Sequence, residues 1–219
     1  MREEKMKASE SQQIFYNELC TQQAYNSIAD RWAREHNTKE YWRKEFDLFS
    51  ELLPGGKILD IGCGAGRDYQ LFAEGEYDYT GIDYSKRLLA IARLQFPAGQ
   101  FMFGNIFDLP FEDGAFDGFW AAASLLHIPK EKIAVALASV HRVVAQNGSG
   151  VIMLKKGEGQ MMVVDDSHSG DTDDQRFFAY WQRHEFTDVL QQCGFMVLSF
   201  SERSVSERTT WLSFFVKAS

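Results

Sequence analysis

Residues 57–70, KILDIGCGAGRDYQ, join an apolar run, a carboxylate and three alternating glycines. Glycines at 62, 64 and 66 let the backbone bend sharply and let a ligand touch it with no Cβ in the way. Free N–H groups at a helix start after such a turn favour an anionic group. Asp60 stands just before the first glycine. An N–H cradle for pyrophosphate has no use for a carboxylate there, whereas a ligand carrying an ammonium does. The pattern is D-x-G-x-G-x-G, not the G-x-G-x-x-G of dinucleotide binders. Asp83 ends the next apolar run, YTGID, where a carboxylate can accept both hydroxyls of a ribose. The two carboxylates read as grips on opposite ends of an amino-acid-bearing nucleoside. His127, in SLLHIP, follows a further apolar run and is the best-placed base, since histidine titrates near neutrality. Its other reading is a helix-entry residue that bonds local backbone before Pro129.

These residues need a scaffold, and the chain alternates in the way that supplies one. Strand-like runs are KILDI, YDYTGID, GQFMFGN, FDGFWAA and GVIMLKK. Helical stretches lie between them at 67–73, 85–96 and 129–146. The last sets Ile133, Leu137, Val140 and Val144 on one face, with Gly148 as its C-cap signal. Such β-α repetition predicts a Rossmann-like α/β fold with a mostly parallel sheet and helices on both faces. After a helix at 185–193, MVLSFSE and TTWLSFFVK pair as an antiparallel hairpin. The expected sheet has seven strands with the last antiparallel. Upstream, apolar spacing predicts helices over 14–35 and 41–53, the second stopped by Pro54-Gly55-Gly56. The first dozen residues are polar and read as frayed. The expected division is a helical cap over the pocket at 1–53 and a ligand-binding domain at 54–219.

Bulk properties narrow the partners. The chain has 219 residues and a net charge of −8, against the basic stripe that a nucleic-acid partner demands. No run is apolar and long enough to span a membrane. The three cysteines, Cys20, Cys63 and Cys193, form no CxxC pair, which fits a reducing compartment and gives no zinc framework. The start, MREEKMKASESQQ, lacks the apolar core of a secretory signal, so a cytoplasmic location is the expectation.

ILDIGCGAGRD, GIDYS and GNIFDLPFEDGAFDGFWAAASLLHIP, in that order and spacing, resemble the class I S-adenosylmethionine-dependent methyltransferases, in the small-molecule style of ubiquinone and menaquinone biosynthesis. The resemblance covers about Tyr25 to the C-terminus. It implies S-adenosylmethionine as cofactor and methyl transfer to a small-molecule acceptor, without a metal. By the same resemblance Asp60 and the backbone of Gly62, Cys63 and Gly64 surround the methionine part, and Gly66 closes the turn. Arg67 takes the methionine carboxylate, Asp83 the ribose and Tyr84 the adenine face. Asn105, with the backbone of Ile106, reads the adenine edge; aspartate is frequent at that position, and an amide oxygen can still accept from the adenine amino group. Ala121 borders the sulfonium.

Tyr25 and Trp32, in YNSIADRWAREH, match the place where the family's N-terminal helices cover the pocket, or else pack on the sheet. Residues 157–185 read as a long loop or lid. Within it Arg176, Phe177, Tyr180 and Trp181 either enclose an apolar or planar acceptor or join the core. DDSHSGDTDD has neither EF-hand nor zinc spacing and reads as a solvated acidic loop. Cys63 reads as a small residue in a tight turn, not a nucleophile. Two rival functions fit the same residues: a cofactor-binding protein without chemistry, and a nicotinamide-dependent oxidoreductase, against which the glycine spacing speaks.

Overall fold

The structure, a computed structural model, describes residues 2–164 and 175–219, with the side chains of 2–12 and 14 left aside. DDSHSGDTDD, residues 165–174, therefore lies outside the described residues. A seven-stranded sheet runs β3-β2-β1-β4-β5-β9-β8. Its strands are β1 (Lys57–Ile61), β2 (Asp78–Asp83), β3 (Gln100–Phe103), β4 (Phe116–Ala122), β5 (Val144–Lys155), β8 (Phe195–Ser206) and β9 (Thr209–Ala218). β1 to β5 are parallel neighbours, and β9 is antiparallel to both β5 and β8. The strand order reverses at β1, with β2 on one side and β4 on the other, and ligands of open α/β sheets bind at such a switch point. The expected seven-stranded sheet with its antiparallel last strand is the one observed.

Helices α4 (Tyr69–Glu74), α5 (Lys86–Gln95), α6 (Ile133–Val143) and α7 (Arg183–Gln192) connect the strands. Ser85 caps α5, its hydroxyl accepting from the Leu88 N–H at 3.2 Å. α6 ends earlier than the apolar spacing predicts. Val144 is extended and pairs with Phe116, so sheet pairing recruits a residue whose spacing also suits a helix. Gly148 is thus not a C-cap. It lies in the irregular stretch between the Phe116–Val144 and Gly118–Ser149 pairs, where Asn147 takes φ 66°.

Upstream, the predicted helix over 14–35 is broken at Ile28 into α1 (Arg2–Ser27) and α2 (Ala29–Glu35), and α1 extends back through the stretch read as frayed. α3 (Arg43–Leu52) sets Phe46 and Phe49 against Phe72 and Trp120 in the core. The predicted loop at 157–185 contains structure. β6 (Gln160–Val164) and β7 (Gln175–Ala179) form a separate antiparallel pair. Its strands, QMMVV and QRFFA, carry apolar residues that the acidic stretch between them obscures in composition. This pair is tied to α1: the Phe177 N–H donates to Thr21 Oγ1 at 2.9 Å. Among the described residues, no helix is long and apolar enough to cross a membrane.

Candidate functional site

A cavity of about 220 Å³ lies where Ile61, Asp83 and Ala122 end β1, β2 and β4. Its floor is the glycine turn, and its roof is α1, α2 and the residue just past α2, which contribute Tyr25, Trp32 and His36. Gly62, Gly64 and Gly66 all take positive φ, at 76°, 55° and 83°. A Cβ on Gly62 would collide with Ser124. On Gly66 it would meet Phe96 Cδ2 at 2.9 Å and Phe101 Cζ at 3.1 Å. On Gly64 it would meet only Leu88 Cδ1 at 3.9 Å, so that glycine keeps space open beside the cavity.

Asp83 stands on the wall. Its Oδ2 accepts from the Gly64 N–H at 2.8 Å and its Oδ1 from the Ser85 N–H at 2.7 Å. A carboxylate has about four acceptor sites, so both oxygens can still take a donor from a ligand. Burial raises its pKa, and the bonds from the Ser85, Gly64 and Tyr84 backbone oppose that rise. Cys63, Tyr84, Asn105 and Ile106 line the cavity. The Tyr84 ring stacks on Phe103 with centroids 5.5 Å apart. Asn105 Oδ1 accepts from the Phe107 N–H at 3.0 Å, which fixes the amide with its nitrogen free to donate.

Asp60 does not line the cavity. It is 2% exposed behind the turn, and its Oδ2 accepts from the Tyr79 hydroxyl at 2.7 Å. Alternation along β1 puts Ile61 toward the cavity and Asp60 on the other face. The same parity removes Ala121; Ala122 and Ala123 take its place on the wall. Gly66 is also absent from the lining and packs against α5 and β3 instead.

Asp68 is the carboxylate that sequence reasoning missed. It is 4% exposed, lines the cavity and accepts from the Trp120 indole N–H at 3.0 Å. Arg67 grips it through Nε and Nη2 at 2.6 and 2.8 Å, and among the described residues no hydrogen bond takes its other three guanidinium N–H groups. Three carboxylates, Asp60, Asp68 and Asp83, therefore surround the turn with Arg67 as their cation. Burial, with Asp68 adding, drives the Asp60 pKa well above the carboxylate range. The charged form is thus disfavoured on folding, so Asp60 contributes more stability as pH falls through its folded pKa toward its unfolded one. Asp60→Asn keeps an oxygen for Tyr79 and removes that charge. The variant is expected to melt a few °C above the parent at pH 8, the gap narrowing toward pH 5 in a melting series. An unchanged gap across that range would contradict this.

His127 lines the cavity with both ring nitrogens engaged. Nδ1 faces the Phe177 carbonyl at 2.7 Å and must carry the proton, since a carbonyl only accepts. Nε2 then accepts from the Tyr25 hydroxyl at 2.8 Å. Burial lowers its pKa to about 3, so it is neutral. His127 therefore holds Tyr25 in place and does not present an open base. Arg176 and Tyr180 are not on the cavity wall. The Arg176 guanidinium lies 5.3 Å from the Tyr25 ring and 5.1 Å from Trp32, behind the roof. Tyr180 stacks on Phe178, with ring centroids 6.2 Å apart. Phe177 and Trp181 are core residues.

His36 was also missed, although a signal existed: Trp32 and His36 stand at i and i+4, neighbours on one helical face. Its ring stacks on Trp32 at 3.6 Å.

Residues 58–148 match the family model described as "Methyltransferase domain". A demethylmenaquinone methyltransferase of Symbiobacterium thermophilum is 29% identical over 152 residues, covering 64% of this chain and 58% of that protein. The O-methyltransferase cnsE of Penicillium expansum is 44% identical over 90 residues, covering 37% of this chain and 32% of that one. The chain thus spans between about a third and three fifths of these curated relatives. Among solved structures, a Burkholderia thailandensis 1,6-didemethyltoxoflavin-N1-methyltransferase, with bound 1,6-didemethyltoxoflavin and S-adenosylhomocysteine, superposes with a TM-score of 0.76 at 16% identity. That match covers 94% of this chain and 90% of the other.

Proposed function

We propose that this chain, which carries a methyltransferase domain at 58–148 on a class I methyltransferase fold, transfers a methyl group from S-adenosylmethionine to a small planar acceptor. The observation that carries the reading is the pair of carboxylates, Asp68 and Asp83, that line the cavity beside an open glycine turn. Asp68 and Asp83 on the cavity wall, against Arg67, leave the floor net negative, which suits a ligand bearing a sulfonium and an ammonium. Gly64 keeps the space a ligand backbone needs, and the Ser124 hydroxyl, buried on the cavity wall, has no partner among the described residues. A nicotinamide dinucleotide fits this floor poorly, because its pyrophosphate would face the carboxylates.

The residues divide the work by position. Asp83 would hold the ribose hydroxyls, Asn105 and Tyr84 the adenine, and Arg67 the amino-acid carboxylate through its remaining N–H groups. A bound sulfonium supplies an activated methyl, so no electrophile has to be made. The protein contributes alignment, which can supply roughly 7–11 kcal/mol. Tyr25 and Trp32, set edge to face at 5.2 Å, form the acceptor side of the roof. Their aromatic surface suits an apolar or planar acceptor, and the O-methyltransferase relatives favour an oxygen acceptor. Residues 1–53 act as the cap and 54–219 as the cofactor domain, in the cytoplasm.

Calorimetric titration with S-adenosylhomocysteine tests the reading, followed by a panel of catechol, 1,4-naphthoquinol and theophylline, read by release of the demethylated product. Saturable binding together with turnover of one panel member is the expected result. Binding without turnover of any phenol or heterocycle would favour the non-catalytic reading. No binding, with a melting point raised by NADH instead, would overturn it.

A further inference from the structure

The cavity holds two imidazoles, and only one has a nitrogen to spare. His127 uses both, as described above. His36 Nδ1 lies 3.1 Å from the Trp32 carbonyl oxygen and must donate to it, so Nε2 carries the lone pair. Among the described residues no hydrogen bond reaches that Nε2. The ring is held on its other side by the Trp32 face, at an interplanar angle of 14°. Tautomer and orientation are thus both fixed, and the ring lines the cavity on the same roof as Tyr25 and Trp32.

We propose that His36 is the catalytic base, taking the proton of the acceptor at Nε2 while His127 positions Tyr25 beside it. This rests on the methyl-transfer reading above. The acceptor O–H or N–H bond gives its proton to Nε2, and its electron pair forms the new bond to the methyl carbon. The C–S pair of the sulfonium donor stays on sulfur, and the imidazolium returns its proton to water. The groups facing His36 keep the ring neutral before reaction. Burial lowers its pKa from 6.5, the Trp32 carbonyl opposes this, Arg67 and Arg176 lower it further and Glu35 raises it. Asp68 faces Arg67 and so weakens that cation's effect. The base form is therefore present at neutral pH and is lost only on acidification below the ordinary histidine range.

Two arms test this. Diethyl pyrocarbonate acylates neutral, accessible imidazole nitrogens, and peptide mass mapping of the wild-type protein reads each histidine separately. His36 is expected to react well before His127, and S-adenosylhomocysteine with catechol is expected to slow it. His184, exposed on α7, serves as the reference. In the second arm, His36→Gln and His36→Asn are compared with wild type on the panel member that turns over. The expected result is a kcat lower by about 10²–10⁴-fold, loss of the acidic limb of the pH profile, and S-adenosylhomocysteine affinity within threefold. Acylation of His127 before His36, or kcat of the folded variants within threefold of wild type, would overturn the assignment. Failure of S-adenosylhomocysteine to bind would instead remove the methyl-transfer reading, while the labelling order still decides which imidazole is open.

Discussion

Asp83→Ala is expected to weaken S-adenosylhomocysteine binding by about 10²-fold or more, the ligand-induced rise in melting temperature disappearing with it. The size follows from what the carboxylate does. Two hydrogen bonds to an ionised acceptor are worth about 1.5–3 kcal/mol each, and about 2.7 kcal/mol is already a hundredfold in affinity. The same carboxylate also ties Gly64 to Ser85 through their N–H groups, so its loss slackens the glycine turn as well as the proposed grip on the ribose. Asp83→Asn separates the two effects. It keeps one accepting oxygen but turns a donating amide toward one of those N–H groups, so an intermediate loss is expected. Acidification acts in the same direction. The raised pKa of Asp83 means that its charge is lost at a higher pH than for an ordinary aspartate, and affinity should fall through that pH. Calorimetry at pH 8 and at pH 5 checks the point. An Asp83→Ala affinity within threefold of wild type would show that the cavity holds something other than a ribose.

The sequence was most legible where one residue type answers one geometric need. Alternating β and α text predicted the sheet and its antiparallel last strand, because the periodicity of buried faces is local information. The glycine turn was legible for the same reason: only glycine takes positive φ at alternate positions without strain. Parity was harder. Asp60 and Ala121 each sit one residue from the position that faces the cavity, and strand alternation reverses the face at every step. Spacing to a motif tells how far along a strand a residue lies but not which way its side chain points, until the twist and register of the neighbours are known. Asp68 escaped because it follows a helix-entry arginine and reads as one half of a local ion pair. What makes it part of the site is Trp120, 52 residues away. His127 was placed correctly in the cavity, yet its partners come from α1 and β7, elements separated by 102 and 50 residues. The β6–β7 pair that supplies Phe177 was read as loop, so the occupation of both ring nitrogens could not be foreseen.

The first two glycines of the turn should fail in different ways, and that difference tests whether the turn is built for a ligand or only for the fold. Gly62→Ala places a Cβ into Ser124 at a backbone φ of 76°. The collision is with a Cβ that has no free rotation, so the β1 and β4 ends must move apart. A loss of about 2–3 kcal/mol in folding stability is expected, from overpacking and the left-handed conformation together. Gly64→Ala meets only Leu88 at 3.9 Å, so its stability loss is the left-handed cost alone, about 1–2 kcal/mol. Its methyl, however, enters the space beside the cavity that a ligand backbone would occupy. S-adenosylhomocysteine affinity should therefore drop by about 10²-fold in Gly64→Ala, a loss out of proportion to its small destabilisation. Denaturant unfolding paired with calorimetric titration on both variants reads the two quantities separately. A Gly64→Ala protein that binds like wild type would mean the open space is not a binding surface, and the negative floor would then lack a ligand that touches it.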